Sequence, residues 1–313
     1  MPTDAKITLA LADADDTPFA LAASPAYARD SICFAACGSG LYRSQDGGEH
    51  WELLRASPES VTTAVAVSPS FAQDRSVFAA VKGGILRSSD AGGAWFTAGF
   101  PAPPPVFSSL VVSPDFERDG FLLAGTLEDG VFSSTDRGLR LQPWNFGLFD
   151  LNVLCLALSL NWTEDETAYA GTETGLYRST NGGRAWRHTG FPAESAPVLC
   201  IACFENAPTG SIRLLAGTEN NGLWTTCDQG ETWERLAEET ISDTVNQLHA
   251  ARDADGSPSL YALTNDSVIM SADRGESWRE LIRVDGLTTA MLPLGDIILL
   301  GVQGVGVMRS PCN

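Results

Sequence analysis

The chain has 313 residues, 44% of them hydrophobic and 19% charged, an ordinary globular balance with length enough for a large buried core. Thirty-nine acids against twenty Lys and Arg give a formal charge of −19, and only Lys6 and Lys82 are lysines. That balance repels phosphate backbones and anionic lipid, no run of the sequence is basic, and no apolar run approaches the roughly 18 residues of a membrane span, so nucleic-acid binding and membrane insertion are excluded as expectations.

The opening residues, MPTDAKITLALADADD, carry acids on both sides of a six-residue apolar stretch. A secretory leader wants basic residues first and a longer apolar core, so a cytoplasmic chain is expected, with secretion open if a leader was removed. Within that opening, KITLALA (residues 6–12) is strand-like and belongs to no repeat. From there the chain is periodic. Each unit offers four strand-like pieces, as in VTTAVAVSP, SVFAAV, GILRSSD and WFTAGF. The first is apolar and β-branched or small, the second alternates, the third ends in a polar turn, and the fourth begins with Trp. No segment shows a convincing helical period.

Between the third and fourth pieces one spelling returns: S-x-D-x-G-x-x-W. It reads Ser44, Asp46, Gly48, Trp51; then Ser88, Asp90, Gly92, Trp95; then Ser134, Asp136, Gly138, with Leu141 in place of Trp and Trp144 nearby to compensate. It continues as Ser179, Asn181, Gly183, Trp186; as Thr226, Asp228, Gly230, Trp233; and as Ser271, Asp273, Gly275, Trp278. The central acidic or amide residues are 44, 46, 45, 47 and 45 apart. The Ser and Asp side chains can hydrogen-bond the turn backbone, the Gly permits a positive φ, and the Trp can pack between neighbouring sheets.

Four strands every 45 residues or so is the signature of a β-propeller blade. First-strand pieces occur seven times, from FALAASP to LTTAMLPL, but fourth-strand pieces only six times. A blade without its outer strand leaves an unpaired edge. The spacing therefore predicts an all-β, seven-bladed propeller of four-stranded antiparallel blades, closed by the N-terminal strand (about 6–12) completing the last blade. The blades fall at 17–55, 61–100, 106–147, 151–191, 196–237, 243–282 and 286–313 plus 6–12, within one domain over 1–313. One position in the first strand is small in almost every blade (Ala20, Ala64, Ser109, Cys155, Cys200, Ala290; Gln247 in the sixth), as crowding near the axis requires. Cys155 and Cys200 need no chemistry to explain them. Cys200 and Cys203 point to opposite faces of a strand and have no second pair or nearby His, so no metal is expected.

The S-x-D-x-G-x-x-W spelling resembles the Asp-box, or BNR, repeat of sialidase-like β-propellers, and SPSFAQDRSVFAAVKGGILRSSDAGGAW resembles the long form common in bacterial BNR-repeat proteins. The likeness covers nearly the whole chain. It implies that the box residues are structural and lie on the face opposite the usual ligand site. Sialidases of that family hold a carboxylate with three arginines and use a Tyr–Glu pair. Here no Arg-Ile-Pro-type motif opens the chain. Tyr42 and Tyr177 share a repeated packing slot, and Arg43, Arg87, Arg178 and Arg309 recur beside the box Ser or its counterpart. Other glycosidases need only two suitably spaced carboxylates, so a hydrolase stays open. No G-x-S-x-G, H-E-x-x-H or phosphate loop is present. His50, His188 and His249 are the only histidines, and DADGSPS (253–259) reads as an ordinary turn rather than a calcium loop. No catalytic residue and no cofactor are expected.

A partner is expected on the face opposite the boxes. Its loops gather Glu128, Asp129, Asp150, Glu173, Glu194, Glu219, Glu238 and Glu239 with Phe100, Trp144, Phe146, Phe149 and Phe191. Aromatics rimmed by acids suit a protein with a basic, apolar patch. The leading expectation is a non-enzymatic interaction scaffold or assembly factor, for which the resemblance extends to a photosystem II assembly factor and to the head of sortilin-type receptors. The alternatives are a carbohydrate-binding propeller and, behind it, a glycoside hydrolase.

Overall fold

The computed structural model describes residues 6–10, 16–56, 61–101, 103–206, 211–252 and 258–312. The chain is almost all β and forms a β-propeller of seven four-stranded antiparallel blades in a ring. Most of DADGSPS lies outside the described residues, as do residues 11 and 12 of the opening strand-like segment. Among the described residues no helix is long and apolar enough to cross a membrane.

One compact unit, through Trp144 and again from Thr289, carries blades one to three and the seventh sheet. Blade 1 is Pro18–Ala23, Cys33–Cys37, Gly40–Ser44 and Glu52–Ala56; blade 2 is Thr62–Val67, Val77–Val81, Gly84–Ser88 and Phe96–Thr97. Blade 3 is Val106–Val112, Leu122–Leu127, Val131–Ser134 and Gln142–Pro143. The seventh sheet runs Thr288–Leu294, Ile297–Val302, Gly306–Pro311 and then Lys6–Ala10. The N-terminal strand thus supplies the outer strand that the repeat count lacks. Lys6 stands opposite Arg309, Ile7 opposite Met308 and Leu9 opposite Val307, with a bulge between Ile7 and Leu9. Leu9 is buried with Ile297, Leu299 and Val307 of its own sheet and with Leu21, Cys33 and Ala35 of blade 1.

The second unit, Asn145–Thr288, carries the other three. Blade 4 is Val153–Leu158, Ala168–Thr172, Leu176–Ser179 and Arg187–His188; blade 5 is Val198–Asn206, Ser211–Thr218, Leu223–Thr226 and Glu234–Leu236. Blade 6 is Gln247–Arg252, Pro258–Leu263, Ser267–Ser271 and Arg279–Arg283.

Alternating strands leave each sheet apolar on both faces, so neighbouring sheets bury them against each other. Phe78, Ile85 and Leu141 of blades 2 and 3 meet Phe107, Phe116, Leu122 and Phe132 in one cluster. Blades 5 and 6 close around Phe204, Leu215, Leu223, Leu248, Leu260 and Ile269. The first strands carry a bulge one residue before the small position in five blades, for example between Phe107 and Ser109 and between Val153 and Cys155. Cys155 Sγ lies 3.6 Å from the Val198 carbonyl and Cys200 Sγ 3.3 Å from that of Val245, each on the next blade. The next first strand passes directly over these side chains, which keeps them small. Burial pushes the Cys155 thiol up to about 12 and Cys200 well above its ordinary value, so both are inert. Gln247, the polar exception, pairs its amide with His249 at 2.9 Å.

The sequence shows no helical period, yet among the described residues four one-turn α-helices are present: Tyr27–Asp30, Phe71–Asp74, Phe116–Asp119 and Trp162–Asp165. They join first and second strands of blades 1 to 4. One turn is too short for a period to register. Each is fixed by a local pair: Ser24 Oγ donates to Asp30, Ser68 to Asp74 and Ser113 to Asp119 at 2.6 Å, and Ser159 to Asp165 at 2.7 Å. The same carboxylates accept the N–H two residues on, from Ile32, Ser76, Phe121 and Thr167.

Candidate partner-binding loops and the repeated turns

The six repeated turns share one geometry. The Ser or Thr hydroxyl donates to the Asp or Asn oxygen two residues on, at 2.6–2.9 Å, in all six copies from Ser44–Asp46 to Ser271–Asp273. The same hydroxyl accepts the N–H of the Gly, at 2.8–3.1 Å. The carboxylate or amide oxygen then accepts the N–H four residues on, from His50, Ala94, Arg140, Ala185, Thr232 and Ser277, at 2.9–3.0 Å. Two successive residues are left-handed, the Gly and the residue before it, which is Ala91, Arg137, Gln229 or Arg274 in four copies. At Gly138 a Cβ would also stand 2.6 Å from the Phe78 ring.

Asn181 takes the same contacts as the five Asp residues, so the turn needs the oxygen and not the charge. Burial raises Asp46, but the His50 N–H and imidazole, the Ser44 hydroxyl and the Glu49 N–H outweigh it and hold the carboxyl well below the usual range. Asp273 is lowered to about 2 by the Ser277 hydroxyl and N–H and the Ser271 hydroxyl. These are carboxylates satisfied by their own turn, with no proton to give near neutral pH.

The ring nitrogens of Trp95, Trp233 and Trp278 donate to the turn Gly carbonyl at 3.1 Å, while Trp51 instead reaches Thr8 Oγ1 on the closing strand at 3.2 Å. Trp186 is buried. In the third copy Leu141 itself fills the seam, and Trp144 packs on Phe121 of its own blade. In blades 1 to 4 the carbonyl that ends the short helix accepts an N–H from the turn: Ser31 from Gly47, Arg75 from Ala91, Gly120 from Arg137 and Glu166 from Gly182. Short helix and repeated turn therefore share one end of each of these four blades. The recurring arginines are stitches, as Arg43 shows by donating to the Ala91 carbonyl of the next turn at 2.8 Å and to Glu52 at 2.7 Å. Blade 5 has Thr225 in that slot, and Arg213 from the adjacent strand bonds Thr225 and reaches the Arg274 carbonyl instead.

The other end of the blades carries the second-to-third and fourth-to-first connections. In the second unit, residues 145–152 bring several expected contact residues together. Asp150 Oδ2 accepts the Thr174 N–H at 2.8 Å and its hydroxyl at 2.7 Å, and Oδ1 accepts the Asn152 N–H at 3.0 Å. Asn152 in turn donates to Glu173 at 3.1 Å. Burial raises the Asp150 carboxyl, and these donors more than reverse it, leaving it lowered. On this pinned loop Phe149 is 90% exposed and Phe146 81%. Leu151, 37% exposed, adds apolar surface that composition alone does not flag. The Phe146 carbonyl accepts the Trp186 N–H at 2.8 Å and Phe146 bridges Ala185, so this end of the loop lies beside the repeated turn of blade 4, while Asp150 reaches the opposite connection at Thr174. Glu194, Glu219, Glu238 and Glu239 are exposed on neighbouring connections of the same unit.

Phe191 belongs elsewhere. It is 3% exposed and packs edge-on against Trp224 and Trp233, 5.9 and 5.1 Å away, so its ring seals a seam and presents nothing to a partner. Phe100 in the first unit behaves likewise: half-buried, it covers Gly84 and meets Phe107 edge-on at 6.1 Å. Glu128 and Asp129 are exposed on the turn after Leu127, with Glu128 left-handed at φ 79°. Trp144 is half-buried.

No family model matches the chain. A curated relative, the oligoxyloglucan-reducing end-specific xyloglucanase of Emericella nidulans, is 28% identical over 167 residues, which is 49% of this chain. The chain spans about a fifth of that relative's length (20%). Among solved structures, YCF48 from Cyanidioschyzon merolae superposes with a TM-score of 0.68 at 15% identity, covering 97% of this chain and 98% of that one. YCF48 bound to D1 peptide gives 0.69 at 16%, covering 100% and 96%. The GH74 xyloglucanase from Xanthomonas campestris gives 0.69 at 17%, covering 99% of this chain and 54% of that one. At these identities the solved structures share the fold.

Proposed function

We propose that this chain is a non-enzymatic protein-interaction scaffold whose repeated turns are the Asp-boxes of a BNR-type propeller, and that it binds a protein partner through loops at the blade ends opposite them. The observation that carries the reading is the 145–152 loop. It holds two Phe rings almost fully in solvent on a backbone pinned by Asp150–Thr174 and Phe146–Trp186. A free protein gains nothing from exposing such rings, whereas a partner that covers them gains about 1.5–3 kcal/mol for each fully buried side chain. The pinned backbone reduces the ordering cost of docking. The acids around the rings, Asp150 and Glu173, favour a partner with Lys or Arg beside an apolar patch. The likeness to YCF48, solved with a bound peptide and matched over nearly its whole length, supports this reading.

A second reading rests on the Emericella nidulans relative: a glycan-binding or glycan-cleaving propeller directed at xyloglucan-type oligosaccharides. One pair of experiments separates the two. Cross-linking in cells of the source organism should capture a discrete partner with the native chain and lose it with Phe146→Ala/Phe149→Ala. Incubation with xyloglucan oligosaccharides should give neither binding nor reducing ends. Cleavage that disappears on replacing a single carboxylate, with capture unchanged by the Phe pair, would overturn the scaffold reading.

A further inference from the structure

Blade 4 places two arginines directly across from each other. Arg178 on the third strand is the register partner of Arg187 on the outer strand. Like charges facing each other across an antiparallel pair are destabilising. Elsewhere the same register position avoids the conflict. Blade 1 pairs Arg43 with Glu52 in an ion pair of 2.7 Å, blade 2 pairs Arg87 with Phe96, and blade 3 pairs Ser133 with Gln142. The seventh sheet sets Arg309 against Lys6, but there Glu49 lies 3.8 Å from the Arg309 guanidinium. Among the described residues, blade 4 offers no carboxylate to either of its arginines.

These two arginines line a cavity of about 330 Å³ with His188, Thr180, Asn181, Gln229 and Glu231. That volume is at the lower end of the roughly 300–1,000 Å³ range of small-ligand clefts. Arg178 donates one Nη2–H to the Gln229 amide oxygen, and its Nε–H is buried without a hydrogen-bond partner, as at the equivalent Arg43, Arg87 and Arg309, so the register conflict with Arg187 is what sets blade 4 apart. Glu231 lines the cavity and forms no ion pair within 4 Å among the described residues. His188 is held edge-on to Tyr177, 5.2 Å away, which keeps its ring at the cavity wall. In a chain of charge −19, two guanidinium groups against one carboxylate around one polar cavity leave a local excess of positive charge that calls for a counter-ion.

We propose that the Arg178–Arg187 cavity between blades 4 and 5 is an oxyanion-binding site, taking a phosphate or carboxylate group that relieves the arginine pair through charge-assisted hydrogen bonds. The group can come from a free metabolite or from a modified or acidic side chain, and the shared chemistry is that of a planar donor fork meeting two acceptor oxygens. This site lies at the box end of the blades, and its wall residue Ala185 is bridged by Phe146, so it adjoins one end of the loop proposed above, while Arg178 and Arg187 belong to the cavity alone.

The test uses the full chain and two probes, inorganic phosphate and succinate, each titrated calorimetrically and by thermal unfolding against sodium chloride at matched ionic strength. At least one probe should bind and raise Tm, and which one does separates phosphoryl from carboxylate recognition. Arg187→Glu, which restores the pattern of blade 1, should weaken binding at least tenfold and raise Tm in anion-free buffer. Arg87→Glu, on blade 2 and away from the cavity, should bind as the native chain does. The proposal fails if neither probe acts beyond chloride. It also fails if Arg187→Glu binds unchanged or lowers Tm in anion-free buffer.

Discussion

Thr174 donates both its N–H and its hydroxyl to one oxygen of Asp150, at 2.8 and 2.7 Å, and so ties the chain entering blade 4 to the turn between that blade's second and third strands. Hydrogen bonds to a charged acceptor exceed neutral ones, but this pair is partly solvated, so about 1 kcal/mol is the expected worth of the hydroxyl contact. Thr174→Val should therefore raise hydrogen exchange of the 148–152 amides about fivefold while leaving Tm of the whole chain nearly unchanged. Unaltered exchange would mean that the loop is held by its backbone alone.

The two phenylalanines that sequence reasoning put on equal terms should separate sharply. Phe149 is 90% exposed and Phe191 3%. Phe191→Ala opens a cavity between Trp224 and Trp233 and should cost about 3–5 kcal/mol in urea unfolding. Phe149→Ala should change stability by less than about 0.5 kcal/mol while weakening partner capture. If both variants were equally stable, the burial of Phe191 would be misjudged.

The difference between those residues shows where the sequence stops being informative. Periodicity is additive along the chain, so six copies of S-x-D-x-G at a constant interval and one orphan strand were enough to place the closing pair Lys6–Arg309. Burial of a single loop ring depends on what the next blade brings over it. Trp224 and Trp233 are 33 and 42 residues beyond Phe191, and no local pattern announces that they meet it. The one-turn helices were missed for the opposite reason. Their signal is a Ser and an Asp six residues apart, visible at 24/30, 68/74, 113/119 and 159/165, but it is a side-chain pairing and not a period. The Arg178–Arg187 conflict became readable only with the strand register in hand.

Ser88 tests the turn. Its hydroxyl is fully buried, donates to Asp90 at 2.8 Å and accepts the Gly92 N–H at 2.8 Å. Ser88→Ala strands that N–H and should destabilise the chain by about 1–3 kcal/mol. Ser88→Thr keeps the oxygen, and Thr226 already does this work in blade 5, so it should cost less than half as much. Chemical denaturation of the two variants side by side decides the matter. Equal losses would indicate that the methyl, and not the hydrogen bond, is limiting.

Acid should act on the same turns in a definite direction. Asp273 is lowered to about 2 in the folded chain from an ordinary 3.8. The unfolded chain therefore takes up its proton first as pH falls, so the stability this carboxylate supplies is complete above about 3.8 and is lost on descending towards 2. Asp46 and Asp228 are displaced in the same direction and add to the effect. Asp273→Asn does not titrate and keeps the acceptor oxygen, as Asn181 does naturally. Its urea midpoint should lie below the native one at pH 7, and the gap should close by pH 2. A gap independent of pH would show that the charge contributes nothing.

The closing strand should decide whether the chain unfolds as one body. Leu9 is buried beside Val307 and Leu21, and Thr8 holds the Trp51 ring nitrogen, so the N-terminal strand is bonded to the last repeat and packed on the first. Leu9→Asp places a charge among apolar side chains with no partner to offset it, and a cost of at least 3 kcal/mol is expected. Its loss would bare the outer edge of Gly306–Pro311, so limited proteolysis of this variant should cut first in the seventh sheet, ahead of blades 4 to 6. Thr8→Val, which removes only the Trp51 contact, should cost about 1 kcal/mol and leave the order of cleavage unchanged. If Leu9→Asp unfolded with the native midpoint, the first strand would be an ornament on a ring held shut by other means.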